Sequence, residues 1–256
     1  MKLIPPKTSK ALEVEYFSYL KAIVLRINNT FNSVVMTTAN KKRIDKEIVD
    51  STLTSLEDAF KEFENKINKA FPPQKLRNIA QQTTLRNVRR NKKIWREKLN
   101  SNDFAINITK KLSFPNEQDY IKSRISTNTL LITKMKDDYI SQLNTILFSS
   151  YQQGLSSKEL SKDIQNQFGI TKRKAKLIAR NETKNTNTQM NNKQAKSLGF
   201  TEAVWLGSED EREREQHNKH NNKEYQIGVG LDDGAGGKEE PGDKINCRCT
   251  FYIDVK

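Results

Sequence analysis

Apolar residues recur at three- and four-residue intervals through much of the first 150 positions, and this spacing is the strongest constraint on the fold. Leu12, Tyr16, Tyr19, Leu20, Ile23, Val24, Ile27 and Phe31 fall on one helical face within residues 8–35. Ile48, Leu53, Leu56, Phe60, Phe63 and Ile67 repeat the pattern over residues 44–70. Phe71-Pro72-Pro73 closes that stretch, because a proline disfavours the helical state of the residue before it. From Tyr120 to Tyr151 the stripe is Ile121, Ile125, Ile132, Met135, Tyr139, Leu143, Ile146 and Leu147, and Gly154 suits a left-handed C-terminal cap. Long amphipathic helices follow. Only 34% of the 256 residues are hydrophobic, which is lean for one globular core, so much of the helical surface must be solvated. No run reaches the ~18 apolar residues of a membrane span. The start Met1-Lys2-Leu3-Ile4-Pro5-Pro6 has no apolar signal core. Two cysteines cannot staple a fold of this length.

Beyond Gly154 the elements shorten. Ser156 or Ser157 can cap a helix through Leu160, Ile164 and Phe168, which Gly169 is expected to end. Thr171 is expected to cap a second helix carrying Ala175, Ile178, Ala179, Thr183 and Thr186 to about Leu198, with Gly199 as the stop. Phe200 to Leu206 reads as a strand containing Trp205, and residues 207–246 read as polar and irregular. In the last segment Cys247, Cys249, Phe251, Ile253 and Val255 alternate with Arg248, Thr250, Tyr252 and Asp254, the mark of a terminal strand with one buried face. The expected fold class is α+β, predominantly α, with long helices followed by a small C-terminal α+β domain ending in a strand. The expected division is a basic helical region at 1–118, a long connecting helix at 119–153 and the small domain at 154–256.

Charge is unevenly spread. Residues 1–200 hold 37 Lys or Arg against 18 Asp or Glu, whereas residues 201–256 hold 8 against 13. A basic region suggests a polyanion partner. Its densest part is Lys75–Lys98, with nine basic residues and one acid. Arg86, Arg89, Arg90, Lys92, Lys93 and Arg96 are the candidate phosphate contacts there, giving sequence-independent, salt-sensitive binding to double-stranded DNA. A solvated helix facing an acidic protein is the alternative. Heavy use of Lys and Asn also follows from codon bias in an AT-rich genome, which weakens each single lysine as a chosen contact.

Chemistry-bearing residues cluster late in the chain. Ser208 with Glu211 three later resembles a capping box, so a short helix starting there would bring Asp210, Arg214 and His217 onto one face. His217 and His220 are the only histidines, and Cys247 and Cys249 the only cysteines. Two imidazoles and two thiols match the ligand set of a structural zinc site, although Cys-x-Cys is tighter than the common spacing. The plain alternative is two small core residues on a strand with unrelated surface histidines. A His-Asn-His nuclease would need its histidines in separate parts of the fold. No paired-carboxylate metal motif of convincing spacing, phosphate-cradling glycine loop or serine elbow is present.

Four pieces of the last hundred residues resemble, in order, the phage Mu F-like minor head proteins, a phage head morphogenesis family. Gly154-Leu155-Ser156 with Leu160 and Ile164 resembles the opening helix, and Lys174 to Thr183 resembles the "IARTE" signature through Ile178, Ala179, Arg180 and Glu182. Trp205 with Asp210, Arg212, Arg214 and His217 resembles the "W…D.R.R..H" block, and Asn246-Cys247-Arg248-Cys249 resembles the terminal "NCRC". The likeness covers about residues 150–256. Asn181 stands where the family usually has threonine, and Asn221-Asn222 stand where a glycine usually follows the histidine. The resemblance implies a non-enzymatic minor component of a tailed-phage head, associated with the portal protein and the major head protein and in some members with packaged DNA. It implies location in the virion after assembly in the host cytoplasm, with no membrane partner. It makes His217, Cys247 and Cys249, with Asp210 or His220, the candidate zinc ligands, and Arg180, Glu182, Trp205, Asp210, Arg212, Arg214 and His217 a structural constellation. The alternatives are a zinc-dependent DNA-binding or DNA-cleaving protein, and an assembly chaperone absent from the finished particle.

Overall fold

The computed structural model describes residues 2–42, 50–100, 112–211 and 213–255. The chain is predominantly helical, with a small antiparallel sheet assembled mostly from its C-terminal part. It divides into two compact units. The first comprises Met1–Glu13, Gln81–Ile125 and Arg180–Lys256; the second comprises Val14–Ala80 and Ser126–Ala179. Among the described residues no helix is long and apolar enough to cross a membrane.

The second unit is built from the periodic helices. Helix α1 spans Lys10–Phe31, a five-residue π stretch follows at Asn32–Met36, and α2 spans Thr37–Lys42. Helix α3 spans Asp50–Ala70, so the expected start at 44 and Ile48 lie outside the described residues. Helix α5 spans Glu117–Gln152. Phe31 packs edge-on against Phe63 and Phe60, with centroids 5.4 and 6.3 Å away. On the apolar stripe of α5, Ile132, Met135, Tyr139, Leu143 and Leu147 are all buried. Tyr139 Oη donates to Asn28 Oδ1 at 3.1 Å and Tyr16 Oη to Asn128 Oδ1 at 2.6 Å, so α1 and α5 are joined at two levels. Helix α5 ends as its glycine requires: Gly154 takes φ +65°, and the Leu155 N–H reaches back to the Ser150 carbonyl at 2.9 Å.

Helix α6 spans Ser157–Ser197 without a break, which corrects the expected helical pair. Ser156 does cap it, through a reciprocal box with Glu159. Gly169, however, keeps a helical backbone, and Thr171 turns its hydroxyl back to the Gln167 carbonyl at 3.0 Å instead of capping a new helix. An isolated glycine costs about 1 kcal/mol in a helix interior, too little to stop one packed along its length. Gly199 at φ +92° is the actual stop.

The first unit holds α4 (Pro73–Asn100) from Gln81 onward, α6 from Arg180 onward, and the sheet. The strand order is β1-β6-β2-β3, all antiparallel, where β1 is Lys2–Leu3, β2 is Glu202–Leu206, β3 is Glu224–Gln226 and β6 is Thr250–Asp254. Trp205 pairs with Phe251 and Ala203 with Tyr225. These side chains, with Leu3 and Ile253, form one buried cluster with Trp95 and Leu99 of α4 and Ala195 of α6. A polar ladder joins the same two helices. Asn91 Nδ2 donates to the side-chain oxygens of Asn187 and Asn191, Asn87 Nδ2 donates to the Thr183 carbonyl, and Trp95 Nε1 donates to Asn191 Oδ1. Asn187 and Asn191 in turn donate to the carbonyl of Pro6 at 2.8 and 3.0 Å, tying down the segment after β1.

A candidate metal centre

The motif residues meet at one short loop, residues 245–249. Arg180 Nη2 donates to Asn246 Oδ1, and the Asn246 N–H donates to Asn181 Oδ1 at 3.2 Å. Arg214 Nη2 donates to the Ile245 carbonyl at 2.7 Å, and Arg248 pairs with the Asp210 carboxylate. Asn246 is thereby held at φ +60°, a left-handed conformation that asparagine tolerates better than most residues. The Cys247 N–H closes the turn onto the Lys244 carbonyl at 3.0 Å. Both cysteines are free, buried thiols just ahead of β6, on the side that continues through Phe251 and Ile253.

Helix α7 (Glu215–His220) brings His217 to the same place. Its Nδ1 lies 3.5 Å from Cys249 Sγ, and the ligand atoms of His217, Cys247 and Cys249 all lie within 4.8 Å of one another. The other ring nitrogen, Nε2, faces the buried carboxylate of Glu239 at 3.4 Å. Glu239 comes from the hairpin of β4 (Leu231–Asp232) and β5 (Lys238–Glu239). Gly230 permits that hairpin's approach: a Cβ there would stand 2.2 Å from the Glu239 carbonyl, and its φ is +83°. Trp205 lies against both imidazoles, with centroids 5.5 Å from His217 and 4.9 Å from His220.

Glu213 completes the surroundings. Its carboxylate accepts the N–H groups of Ser208 and Glu209 at 3.0 and 2.7 Å, and Oε1 lies 3.3 Å from Cys249 Sγ. The expected Ser208–Glu211 capping box is thus corrected: Glu213 takes these donors, and the helix begins only at Glu215. Asp210 accordingly does not share a helical face with Arg214 and His217. Asn221 also braces this loop, accepting the Gly207 N–H and donating to Glu209. Asn222 adopts φ +62°, a conformation glycine takes without strain.

A hydrogen bond from Cys249 keeps Cys247 well below the usual thiol range, with Lys184 and His217 adding to the effect against its burial. The same partnership and burial push Cys249 up. Burial lowers the Lys184 amine. A cavity of about 850 Å³, lined in part by Lys7, Arg180, Lys184 and Arg248, reaches both cysteines.

Of the residues singled out from sequence, His217, Cys247 and Cys249 come together. Asp210 is engaged by Arg248, and His220 turns Nε2 to the Asp232 carbonyl at 2.9 Å, so both stand outside the three-ligand group. Arg212 lies outside the described residues. Glu182 pairs with Arg124 at 2.5 Å, away from the loop its neighbours hold. On α4, Arg86, Arg89, Lys93 and Arg96 are exposed along one face. Arg90 instead donates to the Lys7 carbonyl, and Lys92 pairs with Glu117 at 2.5 Å. Sequence reasoning missed Glu213, Glu239 and Lys184. Glu213 sat inside the recognised block. The turn chemistry of Asp233-Gly234-Ala235-Gly236-Gly237 could have exposed the hairpin that delivers Glu239.

The comparisons bear on this same stretch. Residues 141–252 match the family described as "Phage Mu protein F like protein". The match covers α6, the sheet strands from β2 onward and the cysteine loop, and agrees with the four motifs. A relative from Haemophilus influenzae strain Rd, named there only as an uncharacterized protein, is 24% identical over 136 residues. The aligned part is 53% of this chain and 30% of that relative, so the chain spans under a third of the relative's length. No solved structure matches.

Proposed function

We propose that this chain is a minor head protein of a tailed bacteriophage, incorporated into the head at or near the portal during morphogenesis. The carrying observation is that residues from three of the family's motifs bond to one another around residues 245–249. This supports a Mu F-like domain with its internal framework intact and not a scatter of matching residues. The role is structural, and the partners are portal and major head protein. Assembly takes place in the host cytoplasm and the product resides in the virion.

A second part of the reading concerns DNA. Arg86, Arg89, Lys93 and Arg96 form an exposed basic stripe on α4. It suits sequence-independent contact with the phosphates of packaged double-stranded DNA. Arg90 and Lys92 are engaged within the protein and serve its packing. The acidic balance of residues 201–256 suits a protein surface.

Mass spectrometry of purified particles from the phage or prophage encoding the chain tests the reading. The chain is expected at low, constant copy number in full heads. Its absence from finished particles but presence in assembling heads would instead indicate a chaperone. Metal-dependent cleavage of duplex DNA by the purified chain, lost with His217→Asn, would replace the structural role with a nuclease.

A further inference from the structure

We propose that His217 Nδ1, Cys247 Sγ and Cys249 Sγ hold one zinc ion, with Glu213 as its fourth ligand, as a structural centre that pins α7 to the approach of β6. This goes beyond the head-protein reading and does not depend on it.

Three ligand atoms are already gathered. With Zn–S of about 2.3 Å and Zn–N of about 2.0 Å, a tetrahedral site needs an S···N edge of about 3.5 Å. The distance from Cys249 Sγ to His217 Nδ1 is 3.5 Å. A sulfur–oxygen edge has nearly the same length, and Glu213 Oε1 stands 3.3 Å from Cys249 Sγ; it lies outside the group of three and accepts the Ser208 N–H, so it must turn inward to complete the shell. Cys247 Sγ lies within 4.8 Å of the other two ligand atoms, so it closes the group with a small movement.

The surroundings select the metal-binding state of each ligand. A carboxylate behind a metal-bound imidazole fixes its tautomer and strengthens it as a donor. Glu239 Oε1 stands 3.4 Å from Nε2, and neither atom has a hydrogen-bond partner among the described residues, so the pair can take up that contact when Nδ1 binds a metal. Two thiolates and one carboxylate outweigh a divalent ion by one negative charge. Thiolate, imidazole and carboxylate together suit zinc over the hard cations. The loop is held independently by Arg180, Asn181 and Arg214, so the ligands need little ordering on binding.

The test uses the full chain, purified under reducing conditions and loaded with zinc or cobalt. One zinc per chain is expected by elemental analysis. The cobalt form is expected to show sulfur-to-metal charge transfer and the strong visible bands of a tetrahedral ion. Zinc should protect both thiols from alkylation, and a chelator should restore their reactivity; this readout needs no variant. Cys249→Ser and His217→Asn should lose stoichiometric binding. Glu239→Gln should weaken it by about 10–100-fold while the cobalt spectrum keeps its form. Glu213→Gln should keep the metal but shift that spectrum. A wild-type chain that takes up no stoichiometric metal, zinc that survives replacement of both cysteines, or a Cys247–Cys249 disulfide in freshly purified protein would each overturn the proposal. An unshifted spectrum in Glu213→Gln would overturn the assignment of the fourth ligand.

Discussion

The two units solve the same problem, burying long helices, in different ways. The unit of residues 14–80 and 126–179 relies on apolar side chains at helical spacing, with the Phe31, Phe60 and Phe63 rings in mutual contact. Its cross-helix polar bonds include tyrosine hydroxyls that reach Asn28, Asn128 and the Ala39 carbonyl from the rim of that apolar packing. The unit of residues 1–13, 81–125 and 180–256 places asparagines at the helix contact. Asn87 and Asn91 on α4 meet Thr183, Asn187 and Asn191 on α6 at the four-residue spacing that apolar residues fill in the other unit. Apolar packing tolerates sliding and substitution, because it is non-directional. A buried amide ladder does not, since a shift of one residue leaves several groups unpaired. The unit that carries residues 245–249 adds directional bonds to its apolar cluster.

The largest effect should come from the apolar unit. Phe63 is fully buried, and Phe63→Ala is expected to cost about 3–5 kcal/mol by chemical denaturation. Hydrogen exchange should show lost protection in α1, α3 and α5. Loss confined to residues 180–256 would break the contrast.

Arg124→Met should cost about 3 kcal/mol near neutral pH, because it strands the buried Glu182 carboxylate. Burial already raises the Glu182 pKa, opposed by Arg124. Without the guanidinium it rises further. A carboxyl whose folded pKa exceeds its unfolded value favours folding when protonated. The deficit of the variant should therefore shrink as pH falls through the raised pKa toward the ordinary carboxylate range. A deficit independent of pH in that window would show that lost packing, and not the stranded charge, is the cause.

Asn91→Ala should cost about 2 kcal/mol, since Asn187 and Asn191 lose a donor in a fully buried place. Both tryptophans of the chain, Trp95 and Trp205, lie in this unit, so their fluorescence reads the loss directly. A change under about 0.5 kcal/mol would make the ladder incidental. At the lower end, Lys66→Ala removes an exposed pair with Glu62 on α3 and should change stability by about 0.3 kcal/mol. A cost comparable to that of Asn91→Ala would mean that directional bonds matter equally in both units.

The same contrast decides what could be read from sequence. The stripes of α1, α3 and α5 were legible because apolar periodicity is a local signal. Gly169 misled because the strength of a breaker depends on the packing around it. The asparagine ladder was hidden in a chain whose Asn content has a compositional explanation, although Asn87, Asn91, Asn187 and Asn191 carry helical spacing. The pairing of Lys2–Leu3 with Ile253–Asp254 left no trace, because a two-residue strand has no period of its own. In the site, the three metal-binding candidates were legible from rarity alone, as the few histidines and cysteines of the chain. Glu213 and Glu239 were not, because an acidic residue in an acidic segment looks like surface until the turn that buries it is known.

Arg180, Asn181, Asp210 and Arg214 hold residues 245–249 in one conformation. Hydrogen exchange resolved to that loop tests it most directly, comparing the full chain with Arg180→Ala and Asn181→Ala combined. Much faster exchange is expected at Asn246, Cys247 and neighbouring amides, with the protection of α1, α3 and α5 unchanged. Equal protection of the loop in the variant would contradict it.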